Sequence, residues 1–280
     1  MNQLFHYSSF ILLITCALIS LTQGQECTAG DCIEGYGNYI YEDGSKYMGM
    51  FEDSKKSGEG MYVYPDGSTY IGNFQDGNMH GEGEFAFSNG SIYEGEFENG
   101  KMHGRGVFNF HDGAVYEGEF KHGIRSGEGI FILSSGGQYS GTFIDGVLNG
   151  SGTWQGDNGD KYSGNFQNGM FHGQGTYINA NGTEYIGAYR EGRKDGFGTF
   201  TIYGSADDGK YVGEFRTDMF NGYGIYTFPN GSVYSGEFKD GVFHGLGIYI
   251  INEDTLQGNF QFGQFIMSCP VPPPCATGSE

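Results

Sequence analysis

A tyrosine returns every 23 residues. Tyr47, Tyr70, Tyr93, Tyr116, Tyr139, Tyr162 and Tyr185 keep that spacing, and after a three-residue insertion Tyr211 and Tyr234 resume it. A fixed period of this length marks a repeat array and constrains the fold more than any local propensity does. With the Tyr as column 1, column 3 is Gly (Gly49, Gly72, Gly95 and onward to Gly258) and column 5 is Phe or Tyr (Phe51, Phe74, Phe97 and onward to Phe260). Columns 12 and 14 are both Gly, as in Gly81-Glu82-Gly83. Column 16 is aromatic in each full copy: Tyr62, Phe85, Phe108, Phe131, Trp154, Tyr177, Phe200, Tyr226 and Tyr249. Column 18 adds Tyr64, Phe87, Phe110 and Phe228.

Tyr-x-Gly-x-Phe alternates with a period of two, so columns 1, 3 and 5 share one face of a strand, and columns 14, 16 and 18 share one face of a second. Asp-Gly or Asn-Gly separates the copies (Asp66-Gly67, Asn89-Gly90, Asp112-Gly113, Asn181-Gly182, Asn230-Gly231). That dipeptide suits a type I′ hairpin turn, which needs positive φ at both central residues. A glycine inside a strand leaves nothing to pack; here it lies between aromatics, so a neighbouring ring is expected to lie flat over it. The expected fold is all-β: a single-layer antiparallel solenoid of about ten stacked β-hairpins. It is one quasi-linear unit in which each hairpin touches mainly its neighbours.

The pattern resembles the MORN repeat family (membrane occupation and recognition nexus). The family motif, approximately Y-x-G-x-[WF]-x-x-G-x-x-H-G-x-G, stands here as YIGNFQDGNMHGEG at Tyr70–Gly83. Column 5 carries Phe where the family more often has Trp, and column 11 varies between His, Ser, Asn and Asp. The resemblance implies a rigid scaffold that often dimerises, and alternatively a phospholipid-binding adaptor like the MORN arrays of phosphatidylinositol phosphate kinases. Such arrays also accompany lipid-kinase and SET-type catalytic domains, for which this chain has no residues left over.

Four segments follow: 1–24, a signal peptide; 25–46, a cap with a half-repeat; 47–265, the array; and 266–280, a Pro- and Cys-containing tail without repeat signal. The apolar run Phe10–Leu21 has the length of a signal-peptide core and falls short of the roughly 20 residues of a membrane span. The segment before it holds neither Lys nor Arg, and an uncleaved signal anchor is the alternative. The chain is therefore expected in the secretory lumen or outside the cell. Beyond residue 24 the cysteines are Cys27, Cys32, Cys269 and Cys275, all at the ends. An even count in a secreted chain implies disulfides, with three connectivities open. An open array of ten hairpins at about 4.8 Å per strand is roughly 95 Å long, while a disulfide needs Cα atoms about 4.4–6.8 Å apart. Cys27–Cys32 is thus the expected staple. Cys269–Cys275 must fold back across Pro270–Pro274, and a bond between two molecules rivals it. Asn89, Asn149, Asn181 and Asn230 head N-glycosylation sequons, three of them in turns.

No catalytic site, metal site or cofactor is expected. Gly95–Lys101 and Gly204–Lys210 match a P-loop pattern, but Met102 and Tyr211 stand where Ser or Thr must bind Mg²⁺. His80, His103, His172 and His244 share column 11 in single file, and three or four converging ligands are what zinc needs. Glu94, Glu96, Glu117 and Glu119 fall in columns 2 and 4, on a solvated face opposite the rings.

The net charge of −20 argues against nucleic acid and against bulk anionic membrane as partners. Ten of the 14 Lys and Arg, among them Arg190, Arg193 and Lys194, lie in columns 6–10 beside eight acids, giving a mildly basic loop edge. Columns 1, 5 and 16 supply about 27 rings, which a single layer is not expected to bury. The expected function is therefore non-enzymatic binding of a protein partner, or of a second copy, along the ring face. At its centre stand Tyr116, Phe120, Phe131, Tyr139, Phe143, Trp154, Tyr162, Phe166 and Tyr177.

Overall fold

Each copy folds as a hairpin. The computed structural model describes residues 25–204, 208–252 and 254–268, with 22 strands numbered β1 to β22 in chain order. In β5 (Thr69–Gln75) and β6 (Asn78–Ala86), Tyr70 lies opposite Phe85 and Gly72 opposite Gly83. The next strand, β7 (Ile92–Glu98), sets Tyr93 against Phe85 on the other side. The same register recurs along the chain, and each strand pairs antiparallel with the strands before and after it. The result is the expected all-β array, one open antiparallel sheet.

The turns divide into two kinds, and the expectation about them needs correction. Asp66-Gly67 and its equivalents are not type I′: only the glycine has positive φ, 88° at Gly67. Gly67 N–H donates to the Tyr64 carbonyl at 3.0 Å, and Tyr64 N–H to the Ser68 carbonyl at 2.8 Å. This is a three-residue loop, a type I turn completed by a left-handed glycine. The Asp66 carboxylate accepts Ser68 N–H at 2.9 Å, which explains Asp or Asn there without strain. The type I′ turns lie inside the unit, at columns 7 and 8, where Asp76 and Gly77 have φ of 50° and 84°.

The two glycines of columns 12 and 14 serve different purposes. Between Gly72 and Phe74 the register slips against β6, and column 12 provides the bulge: Gly81 has φ 67° and Gly104 φ 55°. Such a bulge bends and twists its strand. Columns 3 and 14 instead make room. A Cβ on Gly72 would stand 2.5 Å from Tyr70 Oη, and one on Gly83 would run into the same ring at 2.5 Å from Cε2. The expectation of a neighbouring strand's ring over glycine holds at column 14, where Tyr70 covers Gly83, whereas at column 3 the ring over Gly72 comes from the same strand.

Neighbouring hairpins are stitched at both edges. Gly77 N–H donates to the Lys56 carbonyl at 2.9 Å, and Gly100 N–H to that of Met79 at 2.9 Å. At the opposite edge the buried hydroxyls of Ser68 and Ser91 each accept a backbone N–H from the next copy, from Ser88 and His111, both at 3.0 Å. At the N-terminal end Cys27 and Cys32 are bridged, with Cα atoms 6.0 Å apart. At the other end β22 (Gln264–Ser268) carries the sheet three residues past the expected limit of the array. The expected signal segment, Cys269 and Cys275 lie outside the described residues.

Candidate functional site

The ring face is built in two tiers. In the lower tier each column 1 tyrosine except Tyr139 lies along its own strand and donates its hydroxyl to the carbonyl three residues on: Tyr70 to Asn73 at 2.9 Å, Tyr93 to Glu96 at 2.9 Å, Tyr162 to Asn165 at 2.8 Å. The column 5 rings wedge edge-on between consecutive tyrosines. Phe74 meets Tyr70 at 5.1 Å and Tyr47 at 5.0 Å, and Phe97 meets Tyr70 at 4.9 Å, all near perpendicular. Offset and edge-to-face packing of this kind is favoured by the ring quadrupoles. The tier is sealed: Tyr116 is 0% exposed, Phe120 and Phe143 4%, Tyr162 1% and Phe166 3%. Burial pushes the hydroxyl pKa of Tyr116, Tyr162 and Tyr234 up to about 12.

The expectation that one layer cannot bury these rings is therefore wrong for columns 1 and 5. Glycines at columns 3 and 14 let each tyrosine sink onto the backbone, so the sheet covers its own first tier. Of the nine central residues expected to meet a partner, Tyr116, Phe120, Phe143, Tyr162 and Phe166 are internal. Phe131, Tyr139, Trp154 and Tyr177 stay half-exposed.

Phe131, Trp154 and Tyr177 belong to an upper tier formed by columns 16 and 18, and the column 1 ring of Tyr139 lies beside it, 6.5 Å from Trp154. From Tyr39 to Phe131 it is an unbroken ladder of half-buried rings, with centroid steps such as Tyr62–Tyr64 4.6 Å, Tyr64–Phe85 5.4 Å, Phe85–Phe87 4.4 Å, Phe87–Phe108 5.5 Å and Phe108–Phe110 4.4 Å. Beyond Phe131 column 18 becomes Leu133, Gly156, Asn179 and Ile202, and the ladder is interrupted until Tyr226, Phe228 and Tyr249 resume it at 4.7 and 5.6 Å.

Column 10 was missed in the sequence because its residues vary: Lys56, Met79, Met102, Arg125, Leu148, Phe171, Lys194, Phe220, Phe243. Its signal is position, since it pairs with column 5 on the ring side, as Met79 does with Phe74. Phe171, Phe220 and Phe243 stack on Tyr162, Tyr211 and Tyr234 at 3.8, 3.9 and 3.9 Å. Lys56, Arg125 and Lys194, one every third copy, set their charges over the rings of Tyr62, Phe131 and Phe200 at 4.3, 4.7 and 4.5 Å. Burial lowers the pKa of both lysines.

Lys194 therefore does not belong to the loop edge. The bulge before column 12 turns column 10 inward, leaving seven cations against eight acids at that edge. Arg190 and Arg193 do lie there, exposed, and Arg190 pairs with Asp195 at 3.2 Å. The reverse face is carboxylate-rich, as expected, around Glu94 and Glu117. Near the C-terminal end, however, it exposes Phe197 and Tyr223, each 63%.

Asn89, Asn181 and Asn230 sit in exposed turns, each accepting a backbone N–H through Oδ1. Asn149 differs. It lies in a strand, its Nδ2 donates to the Val147 carbonyl at 3.1 Å, and its Oδ1 accepts Asn168 N–H at 2.9 Å.

The MORN repeat family model matches ten consecutive segments, residues 33–46, 47–69, 70–92, 93–115, 116–138, 139–161, 162–184, 185–203, 211–233 and 234–252. These cover well over half of the chain, and the chain belongs to the MORN repeat family. A search of curated proteins finds no match. Among solved structures, the chain is similar to the TCP10 domain of Danio rerio CPAP in complex with a STIL peptide (9% identity, TM-score 0.44, covering 83% of this chain and 97% of that one). It is also similar to the TCP domain of Drosophila melanogaster SAS-4 with a proline-rich motif of Ana2 (10% identity, TM-score 0.37, 64% and 99%). Likenesses of this degree carry no functional argument.

Proposed function

We propose that the chain is a secreted, non-enzymatic scaffold that binds a partner protein along the upper tier of rings. The observation that carries this reading is the half-exposed ladder from Tyr39 to Phe131, continued by Tyr139, Trp154 and Tyr177. The lower tier is complete without it, and among the described residues no second layer covers it; contiguous apolar surface of that kind marks interaction sites on soluble proteins. With a net charge of −20, the fitting partner is a protein segment that presents apolar side chains between basic ones. The same charge disfavours the phospholipid-adaptor reading, as does a loop edge without net positive charge.

Secretion is supported by the apolar run Phe10–Leu21, by the Cys27–Cys32 bridge, which persists in oxidising compartments, and by the sequons. The test is to express the full chain in a secreting eukaryotic cell and treat the product with a glycosidase. The expected loss corresponds to glycans at Asn89, Asn181 and Asn230, with Asn149 bare because it lies in a strand with both ends of its amide bonded to the backbone of Val147 and Asn168. A secreted product that loses no mass, or a product retained in the cytosol, overturns this part. Pelleting with anionic and neutral vesicles addresses the lipid reading, for which no binding to either is expected.

A second reading places the partner on the reverse face, at the exposed Phe197 and Tyr223. Alanine substitutions there and on the ladder distinguish the two.

A further inference from the structure

Column 6, column 11 and column 7 of the following copy meet in space. Several copies record contacts of this set. Ser57 Oγ donates to Glu52 Oε2 at 3.1 Å, joining columns 11 and 6. Arg190 and Asp195 make the same junction as an ion pair. Asn168 N–H reaches Asn149 Oδ1 at 2.9 Å, joining column 11 to the next column 7. The array thus repeats a three-residue junction along one edge, and what it can do depends on which side chains fill it.

One junction is filled by ligands only. Glu98 and His103 flank the turn between β7 and β8 (Lys101–Asn109), and His122 stands on the turn between β9 (Val115–Lys121) and β10 (Ile124–Ile132). Among the described residues these three form the one group whose ligating atoms all lie within 4.8 Å of one another. His103 Nδ1 is 3.2 Å from Glu98 Oε2. The approach is off the line of a hydrogen bond, however, and Nδ1 is buried without a hydrogen-bond partner. The His103 and His122 rings are 5.5 Å apart, edge to face.

We propose that Glu98, His103 and His122 bind a borderline divalent cation of the zinc type, with water in the remaining position. Zinc takes imidazole nitrogen and carboxylate oxygen at about 2.0–2.2 Å, so neighbouring tetrahedral ligands stand about 3.3 Å apart. Glu98 and His103 already hold that separation, and exposed His122 closes by a side-chain rotation. Two imidazoles and one carboxylate select against Ca²⁺ and Mg²⁺, which prefer all-oxygen shells. The ion would clamp two consecutive hairpins across the edge. The sequence search followed histidines down column 11 and missed the site because its ligands come from three different columns.

The variants that test this are all residues that other copies use in the same columns, so the fold is kept. Glu98→Gln follows Gln75, His103→Ser follows Ser57, and His122→Asn follows Asn168. The full secreted chain, freed of any polyhistidine tag, is titrated with Zn²⁺ by calorimetry in excess Ca²⁺. One equivalent is expected, weakened at least tenfold by the triple substitution and unchanged by His172→Ser. Equal binding by the wild type and the triple variant, or an equal loss with His172→Ser, overturns the proposal.

Discussion

The hairpins before Phe131 and those after Trp154 fill the same groove by different means. In the first stretch column 10 is Met79 and Met102, and the space above it is taken by column 18 rings; Tyr64 Oη lies 3.8 Å from the Met79 sulfur. In the second, Gly156, Asn179 and Ile202 replace those rings, and Phe171 and Phe220 lie flat on the tyrosines below. A ring at column 18 and a ring at column 10 thus substitute for one another in these copies, whereas Phe228 and Phe243 supply both, with centroids 6.2 Å apart. Where the two regimes meet, the lower tier changes too. Tyr139 leaves its glycines, and a Cβ on Gly141 would meet Leu148 at 3.1 Å while one on Gly152 would meet Phe166 at 3.3 Å. The repeat dictates the lower tier, and each half completes the upper tier in its own way.

The largest effect is expected from entering the lower tier. Gly83→Val drives a branched side chain into the sealed Tyr70 ring, which a Cβ would already meet at Oη, and should cost about 3 kcal/mol, the upper end for overpacking. Gly152→Val meets no column 1 tyrosine, but its Cβ would stand 2.8 Å from the Ser140 carbonyl oxygen, so it should cost less than Gly83→Val but still about 2 kcal/mol by the same reasoning. Denaturant midpoints compare the two; equal losses would break the distinction.

Alkali should act on the lower tier in both halves. Tyr116, Tyr162 and Tyr234 are held neutral up to about pH 12, while an unfolded tyrosine ionises near pH 10. The folded state therefore retains more protons between these values, and stability falls as pH rises from about 10 to 12, being fully present below 10. Tyrosinate absorbance and circular dichroism should change together in that window. Ionisation of these tyrosines with the sheet intact would contradict the burial.

In the upper tier, Phe220→Ala removes a half-buried stacked ring and should cost about 2 kcal/mol, less than the roughly 3–5 kcal/mol of a sealed phenylalanine. Met79→Ala should cost about 1 kcal/mol, because Tyr64 still roofs that site. The reverse order would show that column 18 rings do not replace column 10. The smallest effect belongs to Lys194→Met. A cation–π contact contributes about 0.5–1 kcal/mol when exposed and about 2 kcal/mol when desolvated; for partly buried Lys194 that loss is offset by relief of the desolvated charge, and Met already serves at Met79 and Met102. A change within about 0.5 kcal/mol is expected in thermal melts.

Much of this was legible in the sequence, because columns 1, 3, 5, 14 and 16 are nearly invariant in chemistry and their alternation sets which face they occupy. The ring lying on glycine followed directly. Burial did not, because a stripe of rings reads alike whether the sheet covers it or not; the depth gained over Gly72 and Gly83 appears only in three dimensions. Column 10 was hidden because Met, Phe, Leu, Lys and Arg share no class, although all of them lie over aromatic rings. The type I′ turns were assigned to Asp66-Gly67 rather than Asp76-Gly77 because the two dipeptides are identical, and only the number of loop residues between paired strands tells them apart.

The central claim is that the lower tier is internal and the upper ladder is left for a partner. It is tested most directly by measuring the affinity of the partner protein recovered with the expressed chain for two variants whose circular dichroism matches the wild type. Phe87→Ala with Phe110→Ala should weaken binding at least tenfold, while Phe197→Ala with Tyr223→Ala on the reverse face should leave it within twofold, since one tenfold step corresponds to about 1.4 kcal/mol. Unchanged affinity in the ladder variant together with loss in the reverse-face variant would contradict the account.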